Sequence, residues 1–139
     1  MPTRVVFDTN IWISGLLWRG KPYQCLVLAY AGQVQVVYCQ QMLAELATKL
    51  RVKFRFSENR LQAVFYNLQR IAERIEIAGD LHVVQDDPTD DIFIECAMVS
   101  GARWLVSEDW HLLAPHQYRG VSILTAAEFL ALLEHTPLP

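Results

Sequence analysis

Short apolar runs alternate with helical periods along this chain. Arg4 to Phe7 is brief and β-branched and predicts a buried strand. Residues 11–18 and 23–31 carry helical spacing, with Gly20 and Pro22 punctuating between them and Gly32 stopping the second. Val34 to Tyr38 predicts the next strand. Met42, Leu43, Leu46, Ala47 and Leu50 then mark one helix over 41–50. Leu61, Val64, Phe65, Leu68 and Ile71 mark another over 58–74. A short strand over Ile75 to Ala78 and an acidic, proline-containing loop over Gln85 to Thr89 follow. The chain closes with a helix over 90–100, strands at Trp104 to Val106 and Val121 to Leu124, and a last helix opened by the capping box Thr125-x-x-Glu128.

Strands alternating with helices predict an α/β domain: a three-layer α/β/α sandwich around a mostly parallel sheet. No repeat or linker interrupts the pattern, and 139 residues make one ordinary domain. At 53% hydrophobic and 19% charged the composition is globular. The longest apolar run, Leu26 to Ala31, is far short of the ~20 residues that span a bilayer. Met-Pro-Thr-Arg runs straight into the first strand, so no signal peptide is expected. Cys25, Cys39 and Cys96 are scattered, which fits a reducing, cytoplasmic setting rather than a disulfide framework or a thiolate zinc site.

The net charge of −3 argues against a general nucleic-acid coat, but it hides two poles. Lys49, Arg51, Lys53, Arg55 and Arg60 lie close together. Asp80, Asp86, Asp87, Asp90, Asp91 and Glu95 form a stretch without lysine or arginine.

In a parallel sheet the site lies off the carboxyl ends of the strands. Asp8 directly follows the first strand, and a half-buried carboxylate there needs backbone N–H groups or a cation. It could cap the following helix, although Asn10 stands closer to the helix start and would leave Asp8 free. Asp90 opens the apolar face that carries Phe93, Ile94 and Ala97, at the tip over the sheet's carboxyl edge. Asp91 and Glu95 share a neighbouring stripe and read as a solvated face. Asp109 follows the strand at Trp104 to Val106, either in the site or as the cap of a short helix. Glu45 lies beside its helix's apolar stripe, either in the site or paired with Lys49 at i+4. Converging carboxylates with Mg²⁺ or Mn²⁺ suit hydrolysis of a phosphodiester. There is no His-x-x-x-His pair, Gly-x-Ser-x-Gly elbow or glycine-rich phosphate loop. An Asp-x-Asp phosphatase would need an acid where Asn10 stands.

Four blocks, in order, resemble the PIN domain family of metal-dependent ribonucleases, and its bacterial toxin-like branch in particular. They are Val5-Val-Phe-Asp8-Thr9-Asn10-Ile-Trp-Ile-Ser14-Gly, Gln41-Met-Leu-Ala-Glu45-Leu, Asp87-Pro-Thr-Asp90-Asp91-Ile-Phe, and Leu105-Val-Ser107-Glu108-Asp109-Trp-His-Leu-Leu. The resemblance implies metal-site acids at Asp8, Glu45, Asp90 and Asp109, with Asp8, Asp90 and Asp109 holding the metal. It implies Thr9 as a hydroxyl orienting water or substrate, and Asn10 as a residue holding the first acid. Asp91 and Glu108 are further acids beside the site. The implied protein is a Mg²⁺- or Mn²⁺-dependent endoribonuclease, the toxin of a toxin–antitoxin pair, blocked by an antitoxin protein and paired as a homodimer. Arg19, Lys21, Lys49, Arg51, Lys53 and Arg55 are then candidates for binding RNA phosphates. The alternatives are an RNA-processing nuclease without an antitoxin, a DNA-directed nuclease, or a non-catalytic interaction module.

Overall fold

The computed structural model describes residues 2–81 and 91–134. Among these residues six strands form one sheet: β1 (Arg4–Phe7), β2 (Gln35–Tyr38), β3 (Ala72–Arg74), β4 (Trp104–Val106), β5 (Gln117–Tyr118) and β6 (Val121–Leu124). The order is β3-β2-β1-β4-β6-β5, parallel throughout except that β5 runs antiparallel to β6. The described residues also include seven helices: α1 (Thr9–Leu17), α2 (Lys21–Tyr30), α3 (Gln40–Val52), α4 (Glu58–Ile71), α5 (Asp91–Ser100), α6 (Trp110–Leu113) and α7 (Ala126–Glu134).

Val5, Val6 and Phe7 are all fully buried, so β1 is covered on both faces, as a central parallel strand requires. Phe7 sits in an aromatic seam, edge-on to Trp12 of α1 (centroids 5.8 Å apart) and to Phe129 of α7 (6.1 Å). Phe129 continues the seam to Trp104 at 5.5 Å. Helix α5 packs across β1, β2, β4 and β6 and touches α3, while α2 packs against α1 and α7.

Two elements depart from the sequence pattern. The helix predicted through residue 74 ends at Ile71, and the third strand is Ala72–Arg74 rather than 75–78. The edge of β2 captures this segment: Val36, Val37 and Tyr38 pair with Ala72, Glu73 and Arg74, and Ile75 N donates to Tyr38 O. Cross-strand hydrogen bonds there outweigh a helical propensity of a few tenths of a kcal/mol per residue. Strand β5 carries no periodic signal because it is two residues long; the left-handed Arg119 and Gly120 (φ 45° and 87°) turn it back onto β6. The predicted loop over 85–89 and Asp90 lie outside the described residues.

The crossing of α1 and α2 is set at Gly15. A Cβ there would stand 2.5 Å from Leu26 Cδ1 and 3.1 Å from Pro22 O. Leu26 is buried, and the backbone at Pro22 cannot give way as a side chain can. Gly15→Ala is therefore expected to destabilise the protein by about 1–3 kcal/mol through overpacking, although alanine is the better helix former by ~1 kcal/mol. Urea denaturation measures it, and a stabilised variant would contradict this packing.

Candidate metal-dependent active site

The strand order reverses direction of growth at β1 and β4, and the crevice at their carboxyl ends is where such sheets place ligands. Asp8 follows β1 and is 3% exposed. Its backbone stays in the sheet, with its N–H donating to Val106 O at 3.1 Å. Its side chain caps α1: Oδ1 accepts from Ile11 N at 2.8 Å. The cap is thus Asp8 and not Asn10. Two residues of offset decide it, because α1 begins at Thr9 and its first free N–H groups point back at residue 8.

The second oxygen of Asp8 accepts the hydroxyl proton of Ser107, which is fully buried just after β4. Ser107 Oγ in turn accepts from Asp109 N at 2.9 Å. One serine hydroxyl therefore ties the first acid to the loop that carries the fourth. Sequence reasoning gave Ser107 no role. Its signal is a small hydroxyl residue between a buried strand and an acid two positions on, a spacing that also fits an ordinary turn. Asp109 caps the short α6, with Oδ1 accepting from His111 N at 2.9 Å.

Burial pushes the Asp8 carboxyl up to about 6 from its ordinary 3.8. The Ser107 hydroxyl, the Ile11 N–H and the charge of Lys49 oppose that rise, and the charge of Asp109 adds to it. Asp8 and Asp109 thus share one field, and an added cation would relieve it.

Glu45 and Lys49 on α3 form the i,i+4 pair that the spacing allowed, at 2.9 Å and only 20% and 31% exposed. Lys49 Nζ also donates to Asn10 Oδ1 at 3.4 Å. Asn10 therefore contacts the lysine, and the groups that hold Asp8 are Ser107 and the start of α1. Among the described residues, two buried polar atoms have no hydrogen-bond partner: Thr9 Oγ1 and Glu45 Oε2.

Asp91 begins α5 and is 4% exposed, not on a solvated face. Glu95 is buried as well, and its carboxylate accepts from Gly79 N (2.8 Å) and Leu81 N (3.0 Å), fastening that segment onto α5. The buried arc of α5 is wide, taking in Asp91, residues 93–97 and Ser100. Glu108 is exposed, and its Oε1 accepts from Ala126 N at 3.0 Å, at the start of α7.

The basic candidates separate. Lys49 reaches the acids. Arg51 is held by Glu58 at 2.8 Å on an exposed surface, Lys53 caps the end of α3, and Arg55 is in the left-handed region at φ 54°. Arg19 stacks over Tyr23 at 5.4 Å, and Lys21 starts α2.

Among the described residues no group of three or more His, Cys, Asp or Glu side chains forms a ready metal cage. The donors on the elements that meet here are all oxygen: the Asp8 and Asp109 carboxylates, which act on each other, Thr9 next to Asp8 in the chain, and Glu45 through Lys49, whose charge also acts on Asp8. That set fits Mg²⁺ or Mn²⁺, since Mg²⁺ binds through one or two carboxylates and keeps water for the rest of its shell.

A family model described as PIN domain matches residues 4–111. No curated protein matches at a significant level. Among solved structures, PAE2754 from Pyrobaculum aerophilum superposes with a TM-score of 0.60 at 16% identity, covering 98% of this chain and 100% of that one. VapBC2 from Rickettsia felis, solved bound to a DNA fragment from its promoter, gives 0.59 at 16% identity, covering 86% and 96%. The T. brucei RRP44 PIN domain gives 0.52 at 16% identity, covering 96% and 82%. The ordered acid blocks, the β1–β4 crevice and a family match over more than three-quarters of the sequence place this chain in the PIN domain family.

Proposed function

We propose that this protein is a Mg²⁺- or Mn²⁺-dependent endoribonuclease, most simply the toxin of a toxin–antitoxin pair. The PIN domain family is one of nucleases. The observation that carries the reading further is the joining of Asp8 to Asp109 through Ser107 at the strand ends, with the unpartnered oxygens of Glu45 and Thr9 at the same edge. Asp8, Asp109 and one acid of the Asp90–Asp91 pair hold the metal, with Glu45 as the fourth acid of the metal site. A bound divalent ion supplies charge neutralisation for the phosphate and leaving oxygen and acidifies a water. The protein's own part is positional. Ser107 and Ile11 N–H fix both oxygens of Asp8, and Thr9 offers a hydroxyl to a water or substrate oxygen. The buried strand ends keep the carboxylates from being solvated apart.

Cleavage of a defined RNA panel and matched DNA strands tests the proposal. RNA cut with Mn²⁺ or Mg²⁺, and not in EDTA, is the expected result. Binding without cutting moves the protein to the interaction-module reading, and equal cutting of DNA removes the restriction to RNA.

The partner half of the proposal rests on the α1–α2 face. Tyr30 is 53% exposed and lines a groove with Leu16 and Val27, and Trp18 at the end of α1 is 59% exposed. Grooves of about 540 and 390 Å³ flank α2. An apolar face of this kind fits a protein partner, either an antitoxin or a second copy of the chain. The fold shared with VapBC2 supports the antitoxin. A short neighbouring reading frame encoding a small DNA-binding protein is the genomic observation that agrees with it.

A further inference from the structure

Lys49 is the one basic side chain that the described structure inserts among the site's polar groups. Its ammonium lies 2.9 Å from Glu45 Oε1 and 3.4 Å from Asn10 Oδ1. Both members of the ion pair are mostly shielded from solvent. Its charge also acts on Asp8 across the crevice. By contrast Arg51, one half-turn further along α3, makes an exposed pair with Glu58 of α4. An ordinary i,i+4 surface pair contributes only about 0.3–0.5 kcal/mol. This one differs in its third partner, drawn from another helix, and in the buried Glu45 Oε2 that the ammonium leaves unpartnered.

We propose that Lys49 is a built-in counter-cation of the acid site, which a divalent metal must displace from Glu45. The inference rests on the metal-site reading above and deepens it. In the metal-free protein the ammonium offsets the repulsion among the carboxylates and holds Glu45 and Asn10 in register across α3 and α1. When a metal arrives, two cations compete for one set of oxygens. Affinity for the free metal is thereby held down, and the freed ammonium is left beside the place where a substrate phosphate must come. Metal and phosphate then bind cooperatively, because the phosphate accepts the lysine that the metal has released.

Mn²⁺ titration calorimetry of the metal-free protein tests this with Lys49→Gln and Lys49→Arg, alongside thermal melting in EDTA. Removing a positive charge that sits beside the site's acids should tighten Mn²⁺ binding by about 3- to 10-fold. Lys49→Gln should also melt earlier in EDTA and gain more from Mn²⁺ than the parent protein does. Lys49→Arg keeps the charge and should bind Mn²⁺ within about twofold of the parent. Unchanged or weaker Mn²⁺ binding by Lys49→Gln, with the fold intact, overturns the proposal and leaves Lys49 a helix-surface residue. The outcomes separate from the nuclease reading. Tighter Mn²⁺ binding in a protein that never cuts RNA sustains the counter-cation and removes the nuclease. RNA cleavage by the parent with equal Mn²⁺ affinity in both proteins does the reverse. No Mn²⁺ binding by either protein removes both.

Discussion

Asp8→Asn is expected to abolish RNA cleavage and yet yield a protein more stable than the parent at pH 7. The loss of activity should reach about 1,000-fold or more, ~4 kcal/mol of barrier, because the substitution removes an anionic ligand at constant size. The gain in stability follows from the burial of Asp8. Its carboxyl titrates at about 6 when folded against 3.8 ordinarily. Between those two values the folded protein holds a proton that the unfolded chain has released. Stability from this residue is therefore highest below about pH 4, falls as pH rises to 6, and stays low above that. The full difference is about 3 kcal/mol at ~1.4 kcal/mol per unit. Asparagine carries no charge to desolvate. Its oxygen can keep the Ile11 N–H bond, and its amide can donate to Ser107 Oγ. Some of the gain is lost to the altered Ser107 contact, so a net stabilisation of about 1–3 kcal/mol at pH 7, vanishing near pH 4, is expected. Urea denaturation at the two pH values measures it. Mn²⁺ should stabilise the parent at pH 7 and leave Asp8→Asn almost unmoved. Equal Mn²⁺ binding by the two proteins would remove Asp8 from the metal site.

The legibility of this site in the sequence follows the range of each interaction. Asp8 and Asp109 could be read because each directly follows a buried run, Val5 to Phe7 or Trp104 to Val106, and a parallel sheet puts such positions on one edge. The Glu45–Lys49 pair could be read because it lies within one helix. The contact of Lys49 with Asn10 could not, since it joins residues 39 apart through the packing of α1 on α3. Ser107 escaped because a serine after a strand is ambiguous until its partner is known, and that partner is 99 residues away. The third strand slipped because Ile71 to Ala78 satisfies two periods at once, and only the free edge of β2 decides between them. The same limit explains Asp91 and Glu95. Two acids on one helical stripe read as solvated, whereas α5 lies across four strands and buries nearly its whole circumference.

That burial bears on the third acid, and it sets a second large effect. Asp91→Asn is expected to cost about 100-fold or more in cleavage, ~3 kcal/mol, and Asp90→Asn less than about tenfold. Placing Asp90 in the middle of the apolar face presumed a narrow stripe on α5, with Asp91 left in solvent. The helix instead buries Asp91 to 4% exposure. Because α5 returns antiparallel to the parallel strands, its first turn stands at their carboxyl edge, where Asp8 and Asp109 are. It packs on β1, β4 and α3, the elements that lead into Asp8 and Asp109 and that carry Glu45. Asp90 lies outside the described residues, so the comparison must be made in solution. Cleavage rate and Mn²⁺ affinity, measured on both variants, decide it. If Asp91 is the ligand, Asp91→Asn loses both while Asp90→Asn keeps its Mn²⁺ affinity. If Asp90→Asn loses both and Asp91→Asn keeps them, the metal is held from the residue before α5. The burial of Asp91 then serves only the packing of the helix start.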